Sequence, residues 1–144
     1  MKNYATKPVF FKPNRVRRIY TGGALMDTFL DRPEKLGDGF LPEEWIASTV
    51  IALNENPTPN EGLSFVETET DTELSFRDLL AAYPTEMLGS RSSFDVLVKY
   101  LDSAIRLPVQ AHPTKAFSRA NFGSDYGKTE SWLVLATREN AEIY

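Results

Sequence analysis

The sequence contains no cysteine and only one histidine among its 144 residues. The absence of cysteine excludes disulfide bonds and thiolate metal sites, and it is typical of proteins in a reducing cytoplasm. No apolar run reaches the ~20 residues of a membrane-spanning helix, and residues 1–13 hold no apolar stretch long enough for a secretory signal. A formal net charge of −4 argues against general binding to nucleic acid. We therefore expect a cytoplasmic protein whose partners include neither a membrane nor a nucleic acid.

The residues that are present fit an ordinary globular domain. Hydrophobic residues make up 42% of the chain, and its length suffices for one core. We interpret residues 1–144 as a single domain. One basic cluster, formed by Arg15, Arg17 and Arg18, stands against the acidic balance. We interpret it as a solvated surface face rather than an anion site.

The first half of the chain alternates between short periodic segments and loops. The glycine pair at 22–23 precedes an apolar pattern over residues 25–30, which is typical of a short helix. Residues 31–39 are polar and predict a loop. Residues 45–53 are rich in β-branched and apolar types, which predicts a strand or a bent pair of strands. Residues 54–72 carry turn-forming residues and predict mostly loop.

The clearest predicted helix follows this loop. Ser75 and Asp78 form a capping-box pattern, in which the hydroxyl caps the helix and the carboxylate returns the bond. The apolar residues of 76–83 recur at helical spacing and predict one buried stripe. Pro84 should end this helix, and residues 85–89 should add one more turn that stops at glycine.

The second half changes to strand-like patterns. Residues 94–101 alternate between the two faces of a strand, and residues 107–112 form a second candidate in which Pro108 indicates an edge, a start or a bulge. Residues 130–136 are apolar on both faces and predict a strand buried between layers. Helices followed by strands favour an α+β or mainly β domain.

The single histidine has neighbours that suggest a metal site. Gln110 precedes His112 by two positions, and Lys128 precedes Glu130 by two, so on strands each pair would share a face. Imidazole and carboxylate are good zinc ligands, and an amide oxygen is a weaker one. The alternative is an ordinary salt bridge between Lys128 and a carboxylate, with His112 on the surface. Spacing alone does not decide between them.

Several segments resemble those of class I phosphomannose isomerases. Residues 110–113, Gln-Ala-His-Pro, resemble the Gln-x-His-Pro motif of that family, and residues 127–132 resemble its Gly-Lys-Thr-Glu-x-Trp. Residues 96–102 are similar to the stretch that leads into the first motif. Residues 43–48 are similar to the Gly-Glu-x-Trp-x-x-Ser segment, and the pair at 22–23 falls where the family has Trp-Gly-Gly. The order and rough spacing agree over nearly the whole chain.

The resemblance implies a cupin fold, which is a mainly β barrel of jelly-roll type with helical additions. It implies one zinc ion held by Gln110, His112 and Glu130, with Lys128 as a catalytic and substrate-binding residue beside it. The implied substrates are mannose 6-phosphate and fructose 6-phosphate. The family's fourth ligand, a second histidine, and a catalytic arginine lie further downstream. The chain would therefore be an N-terminal part of such an enzyme.

Departures from the family pattern leave alternatives open. Pro108 stands where the family commonly has a serine beside the substrate phosphate, and Pro42 replaces a glycine. A non-catalytic cupin module that binds metal or sugar is therefore an alternative, and so is a structural fragment without metal. An incomplete barrel would leave open sheet edges, which we place at residues 130–136 and 141–144. We expect weak zinc binding, no turnover and self-association through those edges.

Overall fold

The computed structural model describes residues 2–70 and 72–143. The chain divides into two compact units, Met1–Ile105 and Arg106–Tyr144. In the described ranges, no helix has both the length and the apolar character needed to cross a membrane. The interpretation of the whole chain as one domain stays a prediction.

Short helices and one small sheet make up the regular structure of the described residues. The helices of the first unit are α1 (Lys2–Ala5), α2 (Ala24–Phe29), α3 (Phe76–Ala82) and α4 (Pro84–Leu88). Its strands are β1 (Arg15–Val16), β2 (Glu43–Ile46) and β3 (Val98–Leu101). The strands form one antiparallel sheet in the order β1-β2-β3, with Glu43 opposite Leu101 and Ile46 opposite Val98. The second unit contains α5 (Lys115–Phe122).

The capping signals of the sequence place α3 and α4 correctly. The Ser75 hydroxyl accepts a hydrogen bond from the Asp78 amide at 3.0 Å and donates one to its carboxylate at 2.6 Å. This satisfies an amide of the first turn that has no partner within the helix. Pro84 then begins α4, which ends at Gly89 with a φ of 62°. The predicted helix, its break and its glycine stop are confirmed.

The buried residue Asp102 explains why two glycines precede α2, and the sequence pattern of the helix did not predict this contact. The Asp102 carboxylate accepts hydrogen bonds from the amides of Gly23 at 2.9 Å and Leu25 at 2.8 Å. A Cβ at Gly22 would overlap the Asp102 backbone. Gly22 therefore allows the end of β3 to approach closely enough for Asp102 to cap α2.

Two groups of apolar residues form the core of the first unit. The larger one packs α1 and α3 around Val66 and Leu79, which are fully buried. Phe76 makes edge-to-face contacts with Phe11 and Phe94, at ring-centroid distances of 5.1 and 5.3 Å. The smaller group is formed by Val16 of β1, Trp45 of β2 and Ala52. The helical stripe predicted for residues 76–83 is thus the face that α3 buries.

The strand predictions are confirmed only in part. The strand predicted within 94–101 exists as β3, but the one predicted for 45–53 ends at Ile46, because Ala47 adopts a positive φ of 52°. Residues 107–112 and 130–136 form no strand, and neither do residues 141–143; Tyr144 lies outside the described residues. Leu133, predicted to be buried, is 83% exposed.

The missing strands have a common physical reason. An apolar or alternating pattern reports which side chains a strand would bury, but a strand forms only where a neighbour supplies hydrogen bonds. Within the described part of the second unit no segment pairs with residues 107–112 or 130–136. The described residues therefore form a mixed α and β fold with a three-stranded sheet, not the closed barrel that the resemblance implies.

The interpretation of the basic cluster as a solvated face is wrong for Arg15. Its side chain is 9% exposed and pairs with Asp27 at 2.9 Å, and it also donates to the carbonyl oxygen of Leu41. Arg18 is half-buried near Glu43 at 3.5 Å. A buried arginine needs such partners because an unpaired charge away from water is costly. Counting charges along the sequence could not reveal the buried acids that these arginines face.

Candidate metal centre

The two motif segments of the second unit are brought together by the helix between them. The Thr114 hydroxyl accepts a hydrogen bond from the Phe117 amide at 3.2 Å and so caps the start of α5. Gly123 ends the helix in the left-handed conformation with a φ of 62°. The chain then returns, and the Lys128 amide donates to the carbonyl oxygen of Pro113 at 3.0 Å. The helix and its two turns thus form a closed loop whose ends lie side by side.

Gly127 allows the two ends of this loop to touch. A Cβ at this position would lie 2.8 Å from the carbonyl oxygen of Pro113, 3.0 Å from the amide nitrogen of Lys115 and 3.2 Å from the carbonyl carbon of Thr114. All three atoms belong to the backbone, so no side chain could move aside. The glycine of the second motif is therefore required for the close approach of the first motif.

All four side chains that the sequence singled out meet at the ends of this loop. The Nε2 atom of His112 lies 2.5 Å from Oε2 of Glu130. The Nζ atom of Lys128 lies 3.0 Å from Oε1 of Gln110 and 3.3 Å from Oε2 of Glu130. The contacts of His112 with Glu130 and of Lys128 with Gln110 each join residues that are 18 positions apart. The sequence predicted this meeting on adjacent strands, whereas the structure achieves it with two non-strand segments clamped by α5.

The cluster lies at the surface: Gln110, His112 and Lys128 are exposed, and only Glu130 is partly buried. The side chain of Glu130 is 20% exposed, that of His112 is 32% exposed and that of Lys128 is 48% exposed. Both features of the alternative interpretation are present, because Lys128 pairs with Glu130 and His112 is an exposed residue, although its imidazole also contacts Glu130. Oε2 of Glu130 is the shared atom, because it contacts both the imidazole and the ammonium group.

The donor atoms of the cluster are of the chemical types that bind divalent cations. An imidazole nitrogen, a carboxylate oxygen and an amide oxygen are available, and two of them already face a positive charge, the Lys128 ammonium group. Zinc bonds of about 2.0–2.2 Å in tetrahedral geometry place neighbouring donor atoms about 3.4 Å apart. The contact between His112 and Glu130 would therefore open by about 1 Å around zinc.

The donor set is also small. Among residues 2–70 and 72–143, no group of three or more histidine, cysteine, aspartate or glutamate residues is arranged to hold a metal. If a metal binds here, Gln110 would be the third protein ligand and solvent would complete the coordination. Three protein ligands are the usual number for a catalytic zinc site, although a neutral amide binds zinc less strongly than imidazole or carboxylate.

A second polar cluster, in the first unit, was not predicted as a unit from the sequence. The carboxylate of Glu43 is almost fully buried and accepts hydrogen bonds from the hydroxyl of Tyr20 and from the indole nitrogen of Trp45. Lys99 and Arg18 lie 3.4 and 3.5 Å from its oxygens. Two cations and two neutral donors therefore offset the cost of burying this charge. In the sequence, residues 43–48 stood out only because they are similar to a segment of the resembling family.

Known proteins match the chain over nearly its whole length. The mannose-6-phosphate isomerase ManA of Bacillus subtilis (strain 168) is 29% identical over 141 residues, covering 96% of this chain and 40% of that protein. The mannose-6-phosphate isomerase of Streptococcus mutans serotype c is 30% identical over 139 residues, covering 95% of this chain and 40% of that protein. The probable mannose-6-phosphate isomerase GmuF of Bacillus subtilis (strain 168) is 38% identical over 144 aligned residues, which cover 96% of this chain and 40% of that protein.

The chain thus spans 40% of the length of these relatives. No protein-family model matches it, and no solved structure gives a significant match. The similarity is therefore not limited to the two short motifs, because it covers nearly the whole chain. The similar proteins are named mannose-6-phosphate isomerases.

Proposed function

We propose that this chain is part of a zinc-dependent aldose–ketose isomerase that interconverts mannose 6-phosphate and fructose 6-phosphate. The observation that carries the proposal is the convergence of Gln110, His112, Lys128 and Glu130 at the ends of one clamped loop. The names of the relatives support the reaction and the sugar phosphate as substrate. Because the chain spans 40% of their length, the activity is proposed for a whole protein that contains it. A cupin barrel, completed by further strands, belongs to the same proposal.

Each residue of the cluster has a role that follows from its chemistry. Gln110, His112 and Glu130 would hold the zinc ion, which when bound supplies a Lewis acid for an oxygen of the open-chain sugar. Lys128 has a long side chain that is 48% exposed, so its ammonium group can reach substrate oxygens at the open side of the cluster. There it donates hydrogen bonds and stabilises the negative charge that develops as a proton moves between C2 and C1.

One sequence feature favours a second candidate function, a non-catalytic module that binds metal or sugar. The chain has a single histidine, so its own residues supply a three-ligand site that includes a neutral amide. Pro108 also cannot offer the hydroxyl that the resembling family commonly places beside the phosphate. Such a module would share the cluster but would lack turnover.

A chimera separates these two functions. Residues 1–144 replace the matching 40% of the Bacillus subtilis relative that is 38% identical, and zinc content and mannose 6-phosphate turnover are measured on the same preparation. We expect the chimera to contain zinc and to be active, and the isolated chain to bind zinc weakly and to be inactive. His112→Ala should remove both zinc and activity from the chimera.

Lys115→Ala, at an exposed position of α5 outside the cluster, is the matched control and should change neither quantity. A folded chimera that contains zinc but is inactive would support the non-catalytic module instead. A His112→Ala chimera that kept normal zinc content and normal turnover would show that the ligand assignment is wrong.

A further inference from the structure

We infer that the ammonium group of Lys128 acts as an internal cation of the proposed metal centre, competes with the metal for Gln110 and Glu130, and is released when metal binds. The inference rests on the proposed function, because it concerns the same centre. Its basis is that two of the three donor atoms, Oε1 of Gln110 and Oε2 of Glu130, lie 3.0 and 3.3 Å from the same Nζ atom.

The ammonium group solves an electrostatic problem of the metal-free cluster. An amide oxygen and a carboxylate oxygen only accept hydrogen bonds, so bringing them together without a cation would place lone pairs against each other. Lys128 donates a hydrogen bond to Oε1 of Gln110, forms an ion pair with Oε2 of Glu130, and so holds the two oxygens near one point. It therefore keeps the donor atoms gathered while no metal is present, and the imidazole of His112 joins them through Oε2 of Glu130.

The same contacts must be lost when a divalent cation binds. A metal ion bonded to Oε1 of Gln110 and Oε2 of Glu130 takes the lone pairs that now face Lys128, and it repels the ammonium group. The lysine can leave because its side chain is 48% exposed and has a flexible four-carbon stem. Metal binding therefore frees Lys128 at the open side of the centre, where it can donate to the oxygens of a sugar phosphate. This exchange couples the occupancy of the metal centre to the availability of Lys128 for substrate.

Zinc titrations of charge variants test the exchange without relying on activity. Zinc affinity is measured by competition with a chromophoric chelator for wild type, Lys128→Met, Lys128→Arg and His112→Ala, each made in residues 1–144 and in the chimera. Lys128→Met, which keeps the length but removes the charge, should bind zinc about tenfold more tightly, the effect of removing one charge a few Å from a dication in a solvated site. Lys128→Arg keeps the charge and should stay within about threefold of wild type.

A second measurement follows Lys128 itself. Acetylation by an amine-reactive reagent is quantified by mass spectrometry with and without zinc, and the Lys128 label should rise severalfold when zinc is added, while the label on the exposed Lys115 stays constant. Circular dichroism checks that all variants are folded alike.

The outcomes distinguish this inference from the proposed function. If wild type binds zinc and His112→Ala does not, the metal centre stands. A Lys128→Met protein that then binds zinc no more tightly than wild type overturns the exchange alone, as does a Lys128 label that zinc leaves unchanged. If neither the chain nor the chimera binds zinc in any variant, both the centre and the exchange are wrong.

Discussion

The replacement of Gly127 by alanine tests whether the loop of residues 113–128, which contains α5, sets the geometry of the proposed metal centre. The added Cβ would lie 2.8 Å from the carbonyl oxygen of Pro113 and 3.0 Å from the amide nitrogen of Lys115, where ordinary contacts begin at 3.4 Å. The φ of Gly127 lies outside the left-handed region, so the effect of alanine is steric. The two segments must therefore separate by about 0.5 Å, which exceeds the ~0.2 Å tolerance of metal–ligand distances.

This separation should weaken zinc binding without unfolding the chain. Disturbing the groups that orient metal ligands typically costs 10–100-fold in affinity, which corresponds to about 1.4–2.7 kcal/mol. We therefore expect Gly127→Ala to bind zinc at least tenfold more weakly than wild type in the chimera, measured by the same chelator competition. The loss should be smaller in residues 1–144 alone, because we expect that chain to bind zinc weakly even as wild type.

Gly39→Ala is the matched control for this experiment. A Cβ at Gly39 meets no atom within 4 Å, and its φ also lies outside the left-handed region, so the same substitution carries no steric cost there. Equal zinc affinity for Gly127→Ala and Gly39→Ala would refute the reasoning, because it would show that the close contact with Pro113 does not hold the ligands in place.

Two further predictions concern the rest of the molecule. Asp102→Ala leaves the amides of Gly23 and Leu25 without their carboxylate, and we expect a loss of about 2–4 kcal/mol in the free energy of unfolding by urea, whereas the exposed Asp95→Ala should change it by less than about 0.5 kcal/mol. A loss of similar size in both variants would contradict the capping role. The exposed apolar segment around Leu133 should make residues 1–144 self-associate, and Leu133→Lys should lower the mass in solution measured by light scattering. A monodisperse wild-type monomer would show that this surface drives no association.

Local signals predicted α2, α3 and α4, because the causes of these helices lie within a few residues. The Ser75 cap, the stripe of α3 and the stop at Gly89 involve only neighbours along the chain. α1 and α5 were missed, since neither has the long apolar stripe on which the helix predictions depended. The short helix α5 is held by the Thr114 cap and the Gly123 turn, and both residues are present in the sequence as signals that could have found it.

Strands and buried charges were harder to predict because their causes lie far away in the sequence. β2 pairs with β3 across more than fifty positions, and no pattern within 43–46 identifies that partner. Arg15 looked like a surface residue until Asp27 and the carbonyl of Leu41 were seen around it. Residues 130–136 carry a strand-like pattern without a neighbouring strand among the described residues, so their pattern was mistaken for structure.

The meeting of the four side chains depends on local features, although not on the strands that the sequence predicted. His112 and Glu130 are separated by one helix and two turns, and the length of α5 fixes where the second segment returns. Gly127 sets the contact distance, and the bond from the Lys128 amide to Pro113 fixes the register, so the four side chains meet within one loop. Gly127 and Pro113 thus act through the backbone, while the donor atoms are carried by residues just before Pro113 and just after Gly127. The two motifs are therefore informative only as a pair, because the first supplies Gln110 and His112, the second supplies Glu130 and Lys128, and the backbone contact needs both Pro113 and Gly127.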